Sequence, residues 1–155
     1  MAADDVSDIA EWLAGRLGDD AELTALIGQG RVFPLFVPTV SNLPAVTYKR
    51  ASTQREYHST GQAESVVGMF EVRAVSESNR QGYKTNCRVA RVLLGLLSGI
   101  RTETNDSQGG QHKIESLEIV DEADDDDPSA VADGADSLQR IFMVQVKYDE
   151  PPRGN

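Results

Sequence analysis

Residues 23–50 read LTALIGQGRVFPLFVPTVSNLPAVTYKR, and this stretch decides the fold class. A short apolar helix is broken by Gly28 and Gly30. An apolar strand follows over Val32–Val37, then a Pro-bounded loop, then a second strand over Ala45–Arg50. Pro34, Pro38 and Pro44 have no N–H to give to a β ladder, so they confine these segments to sheet edges or strand starts. Helix and edge strand so close together predict an α+β chain.

Upstream, Asp4 or Asp5 caps a first helix. Val6, Ile9, Ala10, Leu13 and Leu17 recur at helical spacing until Gly18. Trp12 lies beside that stripe, at the core edge or at an interface. Asp19 or Asp20 starts the second helix. Downstream, Ser65–Ser76 alternates as a strand, with Phe70, Val72 and Ala74 on one face and Glu71 and Arg73 on the other. It pairs with the Ala45 strand as a long hairpin whose polar tip, Gln54–Ala63, projects beyond the sheet.

Asn79 then caps the main helix, Arg80 to about Ser98. Its expected apolar face is Tyr83, Cys87, Ala90, Val92, Leu93, Leu94, Leu96 and Leu97, with Arg80, Lys84, Arg88 and Arg91 toward solvent. Two further strands follow: Ile114–Asp121, with Leu117 and Ile119 inward, and Leu138–Tyr148, with Phe142, Val144, Val146 and Tyr148 inward. The expected architecture is a mostly antiparallel sheet of four to five strands, one long helix packed on one face, and N-terminal helices. At 155 residues this is read as one domain over residues 1–150, with residues 151–155 a frayed tail.

The segment Glu122–Asp136, EADDDDPSAVADGAD, carries six aspartates and one glutamate. Self-repulsion and the lack of apolar mass predict a solvated loop inserted between the last two strands. Read from Asp121, Asp124 or Asp125, no register supplies both the Gly and the Glu of a helix–loop–helix calcium site. His58 and His112 have no second ligand at metal spacing. The serines lie in no nucleophile-elbow context, and Cys87 reads as a small core residue. Gly28-Gln29-Gly30 lacks the setting of a dinucleotide site. No catalytic residue, metal or cofactor is expected.

The net charge is −10 and the pI about 4.6, which argues against a protein that grips nucleic-acid phosphates. No apolar run reaches the length of a membrane span. The acidic N-terminus predicts folding in the cytoplasm rather than export.

The blocks ALIG-Q-GR, VFP and LPAVTYKR, the polar HSTG turn, the following strand and the long Arg/Leu helix resemble the tail terminator, or tail-completion, family of long-tailed phages and related gene transfer agents. The resemblance implies a non-enzymatic structural virion protein. It would form a ring, typically hexameric, that caps the tail tube at the tail–neck junction, stops polymerisation and joins the tail to the head connector. Implied partners are other copies of the chain, the major tail tube protein and the connector, with DNA passing through the lumen without specific binding. Another neck or head-completion protein is the alternative, and a small cytoplasmic enzyme or regulator a further one. Arg50, Arg55, Tyr57 and His58 on the hairpin are candidate subunit contacts. Asp124, Asp125, Asp126 and Asp127 are candidate lining of the channel.

Overall fold

The computed structural model describes residues 5–57, 63–99, 103–104 and 113–149. Helices α1 (Asp5–Gly18) and α2 (Ala21–Ile27) lead into strand β1 (Val32–Pro34). Next come β2 (Ala45–Tyr57), β3 (Ala63–Glu77), helix α3 (Arg80–Leu96), and strands β4 (Glu103–Thr104), β5 (Lys113–Asp125) and β6 (Ser137–Asp149). The strands form one sheet in the order β1-β2-β3-β6-β5-β4. This is the expected α+β fold, with the first strand shorter than expected and one two-residue edge strand, β4, added. Every neighbouring pair is antiparallel except β1 and β2, which run parallel from Val32↔Val46 to Pro34↔Tyr48.

Strand β3 is central, and its alternation builds both sides of the sheet. Val66, Phe70, Val72 and Ala74 point toward the helices and are buried with Phe142, Val144, Val146 and Tyr148 of β6. Ile9, Trp12, Leu13, Leu17, Leu23, Val89, Ala90, Leu93 and Leu97 close over them. Trp12 therefore belongs to the core. Each such buried Leu, Val or Phe contributes roughly 1.5–3 kcal/mol of transfer free energy. On the opposite face Val75 and Ala45 join Val37, Leu43 and Val131 in a second, smaller cluster.

The register of α3 differs from the sequence expectation. Asn79 caps it as foreseen, accepting from the Gly82 N–H at 2.7 Å. Its buried residues, however, are Gly82, Asn86, Val89, Ala90 and Leu93, while Tyr83, Cys87 and Leu94 are exposed. The physical reason is close approach to the strands. A Cβ on Gly82 would lie 1.9 Å from the Glu77 carbonyl oxygen. The Asn86 amide donates to the Ala74 carbonyl at 2.9 Å and the Leu138 carbonyl at 3.3 Å, on neighbouring strands.

Three further expectations are corrected. The strand over Val32–Val37 ends at Pro34. Leu35 then takes φ 71°, and the Phe36 N–H donates to the Pro34 carbonyl at 2.8 Å, forming a γ-turn. The hairpin ladder runs on to Tyr57↔Ala63, past the last β3–β6 pair at Val66↔Tyr148, so its arms are longer than expected. The acidic segment is ordered from its start: Glu122–Asp125 lie within β5, and Ala130 and Val131 are buried. The bulge at Ile114/Ser116 lets Ile114 and Leu117, three residues apart, both face inward, and a second lies at Ile119/Asp121.

Substitution Gly82→Ala should lower stability by about 1–3 kcal/mol, because the new methyl meets fixed backbone. Gly95→Ala meets nothing within 4 Å and should raise stability by about 0.5–1 kcal/mol. Urea unfolding of both variants checks the pair.

Candidate interaction surface

The acidic run sits where β5 turns into β6, and two arginines from outside it determine its shape. Arg73 of β3 reaches across the face away from the helices. Its guanidinium donates to Glu71 at 3.0 Å, to Asp125 at 3.0 Å and to Gln139. Gln139 in turn holds the Asp127 carbonyl at 2.7 Å and the Ser137 hydroxyl at 2.9 Å. Lys49 adds a contact to Glu71 at 3.5 Å. Burial alone would lower the Arg73 pKa, but bonding to Glu71 and then Asp125 outweighs it and holds the guanidinium above its ordinary value. Nearby, Arg140 of β6 binds Asp124 at 2.6 Å and Glu122 at 2.7 Å. The bond from Glu122 is the main reason its pKa is raised.

Asp127 has a different task. Its carboxylate accepts from the Ser129 N–H at 2.9 Å and the Ser129 hydroxyl at 2.8 Å, capping the 3-10 turn Pro128–Ala130. Those bonds, the backbone one first, hold it below the usual carboxylate range. Of the four aspartates expected in a channel, Asp124 and Asp125 are thus paired within the chain and Asp127 is a cap. Asp126 is exposed.

The turn is stitched to the loop after β1. Val37 bridges Val131 in parallel. Its N–H donates to the Ala130 carbonyl, its carbonyl accepts from Ala132, and the Val40 N–H donates to Asp133 at 3.2 Å. The Leu35 N–H donates to the Tyr48 carbonyl at 3.0 Å. Leu35, Phe36 and Val40 are thereby held out from the surface, all exposed. Sequence reasoning saw only an edge strand here. The parallel β1–β2 pairing, which forces the chain to reverse within ten residues, was the missing signal.

Arg50, expected at a subunit contact, folds back within its own chain. Its guanidinium stacks over Phe70, 5.0 Å from the ring centroid, and donates to Thr53. Arg55 and Tyr57 lie in the distal ladder, opposite Val66 and Ala63, while His58 and His112 lie outside the described residues. On α3, Arg80, Lys84, Arg88 and Arg91 are exposed, and no ion pair joins them to any described residue.

No group of His, Cys, Asp and Glu among the described residues could hold a metal. No described helix is long and apolar enough to cross a membrane. A cleft of about 380 Å³ between α1, α2 and the Gly28–Arg31 turn is lined by glycines and aliphatic side chains with Thr24, Gln29, Asp19 and Arg31, and the Thr24 hydroxyl donates to the Gly18 carbonyl. It assembles no nucleophile and base.

No protein-family model and no curated protein matches this sequence. Among solved structures, a chain of the virion of a native gene transfer agent (GTA) particle superposes with a TM-score of 0.67 at 17% identity. The match covers 88% of this chain and 91% of that one. The two chains share a fold. At that identity the likeness extends to architecture, and it spans the helices and the sheet together rather than one motif.

The half-buried Arg73 network and the exposed Arg140 pairs should differ in weight. Arg73→Ala should lower stability by about 1–3 kcal/mol, since Glu71 is left with little solvent. Arg140→Ala should cost less than about 1 kcal/mol; thermal unfolding compares them. The lowered pKa of Asp127 means its ionised form is favoured by folding. Its contribution is present above the unfolded carboxylate pKa and lost as pH falls through the folded one. A carbon-detected NMR titration should place its midpoint below that of an unstructured aspartate, and Ser129→Ala should move it part of the way back.

Proposed function

We propose that this protein is a structural component of a phage-like particle: a tail terminator that caps the tail tube as a ring, stops its growth and joins it to the head connector. The observation that carries this reading is the likeness of nearly the whole fold to a chain of a gene transfer agent virion. The sequence blocks around ALIG-Q-GR and LPAVTYKR support the finer assignment. The chain's own architecture fits it. Apolar clusters on both faces of the sheet make a stable brick, and the long β2–β3 arms reach past the sheet toward neighbours. In this role the ring is hexameric, its partners are the major tail tube protein and the connector, and DNA passes through without base-specific contact. The reading needs no catalytic step, and the described residues assemble no constellation to carry one.

Electron microscopy of particles made without this protein tests the role. Overlong or headless tails are the expected outcome. Normal tails beside empty heads would move the protein to another neck position, and unaltered particles would sink the assignment.

A further inference from the structure

Among the described residues six large apolar side chains are exposed: Leu35, Phe36, Val40, Tyr83, Leu94 and Val120. Five of them fall into two patches with opposite charge at their borders.

The first patch is the outer side of α3. At about 100° per residue, Tyr83, Cys87 and Leu94 share about 40° of arc, and Arg80, Lys84, Arg88 and Arg91 fill roughly the next 80°. The result is an apolar seam about 16 Å long with a row of cations beside it. Helix α3 contains no acidic residue, on a chain whose net charge is −10. The seam lies on the opposite side of α3 from Val92 and Leu96, which pack against the core where α1 contributes an Arg16 bond to the Leu96 carbonyl. Tyr83, Cys87 and Leu94 themselves are exposed, so the seam is uncovered. Tyr and Arg together, on a surface apolar at its centre, are the residues that dominate protein–protein contacts.

The second patch is the knuckle Leu35-Phe36 with Val40. Two backbone bonds and a strained γ-turn fix it in place. The acidic turn borders it: Asp133 binds the Val40 N–H, and Asp126 and Asp136 are exposed. Val37 and Val131, which join knuckle to turn, pack on Ala45 and Val75. Those side chains point away from α3, because their neighbours Val46 and Ala74 point toward it. The two patches therefore lie on opposite faces of the sheet and cannot meet within one chain.

We propose that they meet between copies: the Leu35/Phe36 knuckle and acidic turn of one copy dock on the Tyr83–Leu94 seam and cationic row of α3 in the next. Such a contact is head-to-tail, so it propagates until it closes as a ring. The opposed charges set register and partner choice, and the apolar centres supply the affinity. The proposal rests on the ring-forming role above and names its surfaces. It also moves the acidic turn from the channel lining to the boundary between subunits.

Two variants of the full chain test it by sedimentation. Leu35→Asn/Phe36→Ser blunts the knuckle with a residue that accepts positive φ, and Lys84→Glu/Arg88→Glu reverses the row. All four positions are exposed, so circular dichroism should match the native chain. Each variant alone should fall to the single-copy mass of 16.8 kDa. Mixed together they should form a two-copy complex that grows no further, because one intact knuckle fits one intact seam. With Leu35→Cys, mild oxidation should link position 35 of one copy to the native Cys87 of another. Several results would overturn the contact: native-like assembly of either variant, a mixture that stays at single-copy mass, a native chain that never self-associates, or Cys87 linked only to Cys87. Duplex DNA binding that is lost in the α3 variant would do the same, reassigning the cations to phosphate. Microscopy of the particles reads the terminator role separately. A normal tail without the protein refutes the role and leaves the contact standing, whereas an assembling knuckle variant does the reverse.

Discussion

Strand β3 must satisfy two environments at once, and the rest of the structure follows from how its alternation does so. Its even-numbered residues present Val66, Phe70, Val72 and Ala74 to the helical layer. Its odd-numbered residues present Glu71 and Arg73 to an ion network, and Val75 to a second cluster. A one-residue slip of β3 would put Arg73 against α3 and Phe70 in water, so its register with both neighbours, β2 and β6, is fixed by a single pattern. Helix α3 reads that pattern through Gly82 and Asn86, which bring it onto the strand backbone rather than onto side chains alone.

The acidic segment follows from the same strand. Arg73 supplies the charge that lets Asp125 continue β5, and Arg140 does so for Glu122 and Asp124. With those anchors set, Asp127 caps a short turn and Val131 is delivered to the second cluster. A run of aspartates that would repel itself in isolation thus becomes a defined corner of the molecule. The loop after β1 packs against that corner, so two segments far apart in sequence share one surface.

Much of this was legible in the sequence because it depends on local periodicity. The alternation of β3 and β6, the cap at Asn79, the stripe Ile9-Leu13-Leu17, and the placing of Pro34 in an edge strand and Pro44 before a strand start all appear without knowing any partner. What was not legible depends on distant partners. Tyr83 and Leu94 outweigh Gly82 and Asn86 on any hydrophobic scale, and only the nearness of the Glu77, Ala74 and Leu138 carbonyls reverses the choice. The order within Glu122–Asp125 needed Arg140 and Arg73, from other strands. The knuckle needed a parallel β1–β2 pairing that no short motif announces. The place of Arg50 likewise depended on a distant partner, since its guanidinium stacks over Phe70 of the next strand.

Leu35 has a consequence for how this chain would change under different selection. A β-carbon at φ 71° carries backbone strain of order 1–3 kcal/mol, and its side chain gains nothing from the core. Selection for heat resistance alone would replace it quickly with glycine or asparagine. If the knuckle docks as proposed, a leucine held there against its own conformational preference is stability traded for a surface. The most thermostable descendants of this sequence should then be its poorest assemblers.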